Sequence, residues 1–344
     1  MERGTLPAHA VPPRPFFDNR KTAVRIHLIP LLTLLLVSFP AGLAQAQFKE
    51  KTADPSELEL GEATPQRWQI GITVTAGRSS CQGVTGYVPV PVDWPEQEVR
   101  EVEDDVSSTA KVSYRKVDDA MKLMVVKIPS LAAGKTANAL VTFEVTHRSQ
   151  LPPEGTDHYV IPDKNKLPRT LRMYLSTSPQ IESTDRKIRE VAKEIGADKE
   201  KAWEQVEAVY DWVREKVEYK KGPLKSAVAT LKDGFADCEG MTTLFIAICR
   251  AKGIPARTVW VEGHCYPEFY LEDAERKGQW FPCQIAGSHS FGGIPETRPI
   301  WQKGDSFRLP DNPSERKHYL PERVVVAGAR AQPRVQFVRR AVGK

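Results

Sequence analysis

The hydrophobic pattern of this 344-residue chain changes its period along the sequence, and that change limits the possible folds more than any other feature. In the first part, apolar side chains recur at every second position, the spacing of a strand with one buried face. In the second part they recur every three or four positions, the spacing of a helix. The clearest examples are Ile70, Ile72 and Val74, followed by Ile188, Val191, Ala192 and Ile195. Strands followed by helices predict an α+β protein.

The strand-like part extends from residue 68 to about residue 145. Its apolar runs are short and are separated by turn-rich stretches, a pattern typical of a small β-sandwich. We predict strands at residues 70–74, 87–92, 110–115, 121–128 and 139–145. Pro89 and Pro91 cannot donate backbone hydrogen bonds, so the second of these strands is predicted to lie at a sheet edge.

The helical part begins after a linker at residues 147–180. Helices are predicted near residues 188–195, 199–217, 224–231 and 238–252. Asp237 has a side chain suited to capping the last of them, and Gly253 and Pro255 end it. Three strand-like runs follow, at residues 256–262, 264–271 and 279–284.

The first 46 residues have the composition of a targeting segment. Basic residues precede an apolar run at 28–43, and Ala44-Gln45-Ala46 then presents small residues where a signal peptidase reads them. We therefore expect a cleaved signal and a mature chain that begins at Gln47. A retained membrane anchor is the alternative, but Pro30 and Pro40 interrupt a run already short for a span of about 20 apolar residues.

Charge and cysteine content narrow the functional classes. The net charge is +5, of which residues 1–46 contribute +3. The near balance of charge in the rest of the chain gives no support for a nucleic-acid partner, which would require a concentrated basic face. No two of the five cysteines have C-x-x-C spacing, and neither a metal nor another cofactor is expected. Cys265 and Cys283 could form a disulfide or remain packed thiols. Cys81 and Cys249 are interpreted as small buried residues.

Cys238 stands at the predicted N-terminus of an apolar helix. Free backbone N–H groups and the helix dipole stabilise a thiolate there, and the thiolate is the nucleophilic form of cysteine. The charges of Asp237 and Glu239 act against ionisation of the thiol. Taken alone, a cysteine on such a helix is more often a packing residue than a nucleophile.

Three motifs around this cysteine occur in order along the chain. They are Asp237-Cys238-Glu239 with the later G-I-P-A-R run at 253–257, G-H-C-Y-P-E-F-Y at 263–270, and W-F-P-C-Q at 280–284. Together they resemble the transglutaminase-like superfamily over about residues 180–305. Tyr266 stands where that family usually has Trp, and Gln284 stands where it usually has Asp.

The resemblance implies a papain-like core of helices packed on an antiparallel sheet, with Cys238 as nucleophile and His264 as general base. Gln284 would orient the imidazole through its amide oxygen, or would merely fill a polar position. Asp273 is the next candidate for that orienting role. An amide is chemically admissible there, as Cys-His-Asn sites show.

The predicted organisation is a signal peptide at 1–46, a flexible lead-in at 47–66, a β-rich domain at 67–165, a transglutaminase-like catalytic domain at 166–305 and an extension at 306–344. The expected function is acyl transfer or hydrolysis on amide bonds of a protein or peptide substrate by an exported enzyme with no lasting membrane anchor. The alternative is a non-catalytic module that binds a peptide or a cell-wall polymer. The oligomeric state stays open.

Overall fold

A computed structural model describes residues 58–117, 120–329 and 332–343 of the chain. The predicted signal peptide and most of the predicted lead-in lie outside these ranges. Within them, no helix is both long enough and apolar enough to span a bilayer.

Most of the described chain forms strands and short helices. The strands are β1 Leu60–Thr75, β2 Cys81–Val90, β3 Gln97–Val106, β4 Lys111–Val117, β5 Met121–Leu131, β6 Thr136–Gln150, β7 Glu218–Tyr219, β8 Phe235–Ala236, β9 Ala256–Val261, β10 His264–Glu272, β11 Gly278–Pro282, β12 Ile300–Lys303, β13 Phe307–Arg308, β14 Arg316–Lys317, β15 Arg323–Ala329 and β16 Arg334–Val342. The α-helices are α1 Arg169–Arg172, α2 Arg186–Glu194, α3 Ala202–Lys216, α4 Ala227–Asp233 and α5 Cys238–Ala251. The fold is therefore mixed, with several sheets and few helices.

Two four-stranded antiparallel sheets hold the strands nearest the two ends of the described chain. Their strand orders are β16-β1-β6-β3 and β15-β2-β5-β4. Alternate side chains of both sheets enter one shared core, which includes Ile70, Val88, Val126 and Phe143. The last two strands thus complete sheets that begin near the N-terminus. Both lie in the extension at 306–344, for which no secondary structure was predicted from the sequence.

Two features of these sheets differ from the sequence-based predictions. Strand β3 was not predicted, because it is dense in charge and lies mostly exposed at a sheet edge. The edge position predicted for the strand with Pro89 is wrong, since β2 lies between β15 and β5. Pairing with β15 ends at Tyr87, however, so Pro89 removes no hydrogen bond on that side.

Helix α5 forms the centre of the other half of the chain. Every residue from Gly240 to Arg250 is buried, as expected of a helix that is enclosed on all sides. Helices α2, α3 and α4 pack around it, together with the antiparallel sheet β11-β10-β9-β12. The helix predicted at 238–252 with Asp237 as its cap is confirmed.

Buried ion pairs fix the position of this sheet. Arg250 of α5 binds Asp305 at 2.7 Å and the carbonyl oxygen of Ala256 at the start of β9. Lys303 of β12 bonds both to Glu268 of β10 and to Glu96 before β3. Buried charges are costly unless they are paired, so these contacts resist displacement of β9, β10 and β12.

Candidate active site

The N-terminus of α5 places Cys238 at the open end of a buried helix. The Asp237 side chain accepts a hydrogen bond of 3.0 Å from the backbone N–H of Gly240 and so caps the first turn. A side chain on Gly240 would bring its Cβ within 2.6 Å of the Ala236 Cβ, so this turn packs against the preceding segment. Cys238 itself is only partly buried.

His264 reaches Cys238 from the first position of β10. The preceding turn requires Gly263, whose φ is 66°, a region that favours glycine. The Nε2 atom of His264 lies 2.8 Å from the Oε1 atom of Gln284. Because an amide oxygen only accepts, Nε2 carries the proton and Nδ1 faces the Cys238 sulfur, with which the ring is hydrogen-bonded. The structure thus brings Cys238, His264 and Gln284 together.

Gln284 lies two residues beyond β11, and helix α3 holds it in place. Its backbone carbonyl oxygen accepts hydrogen bonds from the Tyr210 hydroxyl at 3.1 Å and from Arg214 at 2.9 Å. Its backbone N–H donates to the carbonyl oxygen of Ser290 at 2.8 Å. Arg214 was not singled out from the sequence, although it lies within the helix predicted at 199–217.

The electrostatic surroundings favour an ionised Cys238. A hydrogen bond from the Cys265 thiol is the largest cause that lowers the pKa of Cys238, and it acts against burial. The hydrogen bond and charge of His264 lower that pKa further, to about 4. Burial lowers the pKa of His264, but its hydrogen bonds with Cys238 and Gln284 outweigh burial, so the pKa lies above the usual value. A thiolate–imidazolium pair is the consequence.

Two charged side chains beside this pair have opposite effects. Burial, followed by the charges of Asp237 and Cys238, raises the pKa of Glu239 to about 7. The carboxyl of Glu239 is therefore only partly ionised near neutral pH, which weakens its opposition to the thiolate. Arg298 forms a bidentate ion pair with the Glu296 carboxylate and donates to the carbonyl oxygen of Glu262 at 2.9 Å. Its positive charge acts on both Cys238 and His264.

A cavity of about 490 Å³ opens in front of Cys238. Its lining residues are Asp237, Cys238, Glu239, Trp260, Val261, Glu262, Gly263, His264, Cys265, Tyr319 and Arg339. Tyr319 and Arg339 come from the C-terminal segment, and no local sequence pattern indicated a role for either. The Arg339 guanidinium lies 4.9 Å from the Trp301 ring centre, donates to the Tyr319 hydroxyl and pairs with Glu322.

Other sequence-derived candidates lie elsewhere or behave differently. Asp273 follows the far end of β10, about 30 Å along the strand from His264 at about 3.3 Å per residue, so it cannot orient that ring. Cys265 and Cys283 are both free thiols, not a disulfide. Cys265 lies beside the Cys238 sulfur, because β10 packs on α5 and the Cys265 sulfur is 3.9 Å from the hydroxyl oxygen of Thr242, one helical turn after Cys238. Cys81 and Cys249 are buried, as interpreted.

Residues 189–285 match the model of the transglutaminase-like superfamily. This segment contains Cys238, His264 and Gln284 together with the helices and strands that hold them. Residues 189–285 form a transglutaminase-like core.

Solved structures similar to this chain extend the comparison beyond that core. A candidate cysteine protease from Cytophaga hutchinsonii aligns with a TM-score of 0.54 and 16% identity, over 81% of this chain and 99% of its own. At this identity the likeness shows the fold alone. A candidate protease from Parabacteroides distasonis aligns over 64% of this chain and 47% of its own, with 13% identity, but its TM-score of 0.26 supports no statement about the fold. No curated protein matches the sequence.

Alkylation should report the thiolate of the transglutaminase-like core directly. The thiolate persists above about pH 4, and its imidazolium partner persists below the raised pKa of His264. Iodoacetamide should therefore label Cys238 rapidly at about pH 6, where an ordinary thiol is mostly protonated. His264→Ala removes the charged partner and should slow labelling about ten- to hundredfold.

The exposed residue His158 supplies the control, because His158→Ala removes an imidazole without touching Cys238. Its labelling rate should equal that of the wild type. Equal rates in wild type and His264→Ala would show that His264 does not activate Cys238.

Proposed function

We propose that this protein is an exported cysteine enzyme that cleaves or transfers acyl groups at amide bonds of proteins or peptides through a thioester on Cys238. The observation that carries the proposal is the contact between the Cys238 sulfur, the His264 ring and the Gln284 amide at the open end of α5. The cavity in front of the sulfur offers space for a substrate segment.

In the first half of the proposed reaction, the Cys238 thiolate attacks the carbonyl carbon of the amide. Negative charge moves to the carbonyl oxygen, where backbone N–H groups of the first turn of α5 can receive it, since first-turn donors have no partner within their own helix. The His264 imidazolium then gives its proton to the amide nitrogen. Ammonia or an amine leaves, and the acyl group remains on sulfur as a thioester.

The second half returns the enzyme to its starting state. Neutral His264 takes a proton from the incoming nucleophile, which attacks the thioester carbonyl and releases the Cys238 thiolate. Water as the nucleophile makes the protein a peptidase or deamidase. A primary amine makes it a transglutaminase. Both outcomes use the same residues.

We further propose that the two paired sheets form a β-sandwich that helps to bind the substrate. Arg339 belongs to β16, which pairs with β1, so one wall of the cavity is an extension of the first sheet. A substrate in front of Cys238 would therefore contact both halves of the chain.

A non-catalytic binding module is the second candidate function, and Gln284 is the observation that favours it. An amide cannot supply the full charge that a carboxylate would offer to the imidazolium. Incubation with casein and a biotinylated amine separates the two candidates. An enzyme produces new N-termini, free ammonia or biotinylated casein, and Cys238→Ser abolishes them. Casein binding without any of these products, at equal strength in Cys238→Ser, would establish the binding module.

The role of Gln284 can be measured on any substrate that such a screen provides. Gln284→Ala should lower kcat/KM by roughly one to three powers of ten, because one hydrogen bond to a charged partner contributes about 1.5–3 kcal/mol and the ring becomes less ordered. Gln284→Asp should keep or exceed wild-type activity where the shorter side chain reaches the ring. Full activity of Gln284→Ala would mean that another group orients His264.

The proposed contribution of the β16 strand to binding has a matched control in the neighbouring residue. Arg339→Ala removes a cation from the cavity wall and should raise KM about tenfold with less effect on kcat. Arg340 bonds to the side chain of Gln69 and does not line the cavity, so Arg340→Ala should leave KM unchanged. Equal KM values for both variants would remove Arg339 from substrate binding.

The proposed export follows from the order of basic, apolar and Ala-x-Ala residues before Gln47. Mass spectrometry of the protein recovered from the medium or periplasm of its own host should find a chain that begins at or near Gln47. An abundant cell-associated form that retains the apolar run at 28–43 would contradict cleavage.

A further inference from the structure

A second sulfur lies at the base of the cavity. Cys265 is buried, follows His264 directly and lines the same cavity as Cys238. Its sulfur lies 3.9 Å from the Thr242 hydroxyl oxygen. Thr242 stands one helical turn after Cys238 on α5, so Cys265 packs against the helix face that carries the nucleophile.

Cys265 contacts the Cys238 sulfur twice. Both its backbone N–H and its thiol are hydrogen-bonded to that sulfur. Neither sulfur is engaged in a disulfide, so the Cys265 thiol retains its hydrogen. The hydrogen bond with Cys238, then burial and the charges of Cys238 and Glu239, raise the pKa of Cys265 well above its usual value. The Thr242 hydroxyl oxygen, 3.9 Å from the Cys265 sulfur, is a second acceptor within reach of the same thiol hydrogen.

We propose that Cys265 is a positioning residue whose thiol donates a hydrogen bond to the Cys238 sulfur and holds it as a thiolate. The inference rests on the proposed role of Cys238 as nucleophile. The hydrogen bond from Cys265 supplies part of the stabilisation of the Cys238 thiolate that the site otherwise lacks, because Gln284 contributes no charge. A buried neutral donor also remains in place throughout the reaction, whereas His264 must give up its proton.

Several charges also act on the Cys238 sulfur, and the test must leave them unchanged. Asp237 and Glu239 at the start of α5 oppose the thiolate, while His264 on β10 and Arg298 before β12 favour it. From the cavity wall, Glu262 and Arg339 face the same space with opposite charges, and Tyr319 lies beside them. Substitutions at Cys265 alter none of these ionisable groups.

The experiment measures the rate of Cys238 alkylation by iodoacetamide from about pH 4.5 to 8, with peptide mapping to assign the labelled cysteine. Cys265→Ala removes the side-chain donor, so the acid limb of the profile should move up by about one pH unit. Labelling at the acid end should fall about tenfold. Cys265→Ser keeps a hydroxyl donor and should keep a profile close to that of the wild type.

Cys249→Ala is the matched control, since it removes a buried thiol from the same helix about three turns from Cys238. Its profile should equal that of the wild type. If Cys265→Ala does not fold, as judged by circular dichroism, Cys265→Val fills the space without a donor and should show the same shift.

Two results would overturn the inference. One is an unshifted profile in the folded variant without a donor. The other is an equal shift in Cys265→Ser and Cys265→Ala, which would mean that packing and not hydrogen bonding sets the reactivity. Labelling needs no substrate, so a failure of the proposed enzymatic function would appear separately, as absent turnover with an intact shift.

Discussion

The complete enclosure of α5 is the constraint on which the rest of this structure depends. A helix that is buried everywhere except near its ends can present a reactive group to solvent only at an end, and Cys238 occupies the end that faces a cavity. The elements that enclose the helix also carry the partners of the nucleophile. Strand β10 provides His264, and α3 holds Gln284 by its backbone. Packing of the core and assembly of the site are therefore one process.

The sequence predicted the parts of this site that depend on local chemistry. The cap at Asp237, the apolar helix after it and the turn before His264 all follow from residues near each other in the chain. The family resemblance then related Cys238, His264 and Gln284, and the structure brings these three together.

Features that depend on distant pairing were not predictable in this way. Strands β15 and β16 contain short apolar runs without clear alternation. Their positions in the sheets are determined only by pairing with β2 and β1. Arg339 enters the cavity through that pairing, so nothing near it in the sequence marks it. The position of Cys265 also depends on tertiary packing, because only the contact of β10 with α5 places this thiol beside Thr242.

The pairing of the last strand with the first has a consequence for biosynthesis. A ribosome makes the residues around Cys238 about one hundred positions before Arg339. Until β16 has been synthesised and has paired with β1, the cavity lacks the wall that Arg339 provides. A nascent chain that already contains its nucleophile thus still has an incomplete binding surface, and maturation of the cleft must wait for the C-terminus.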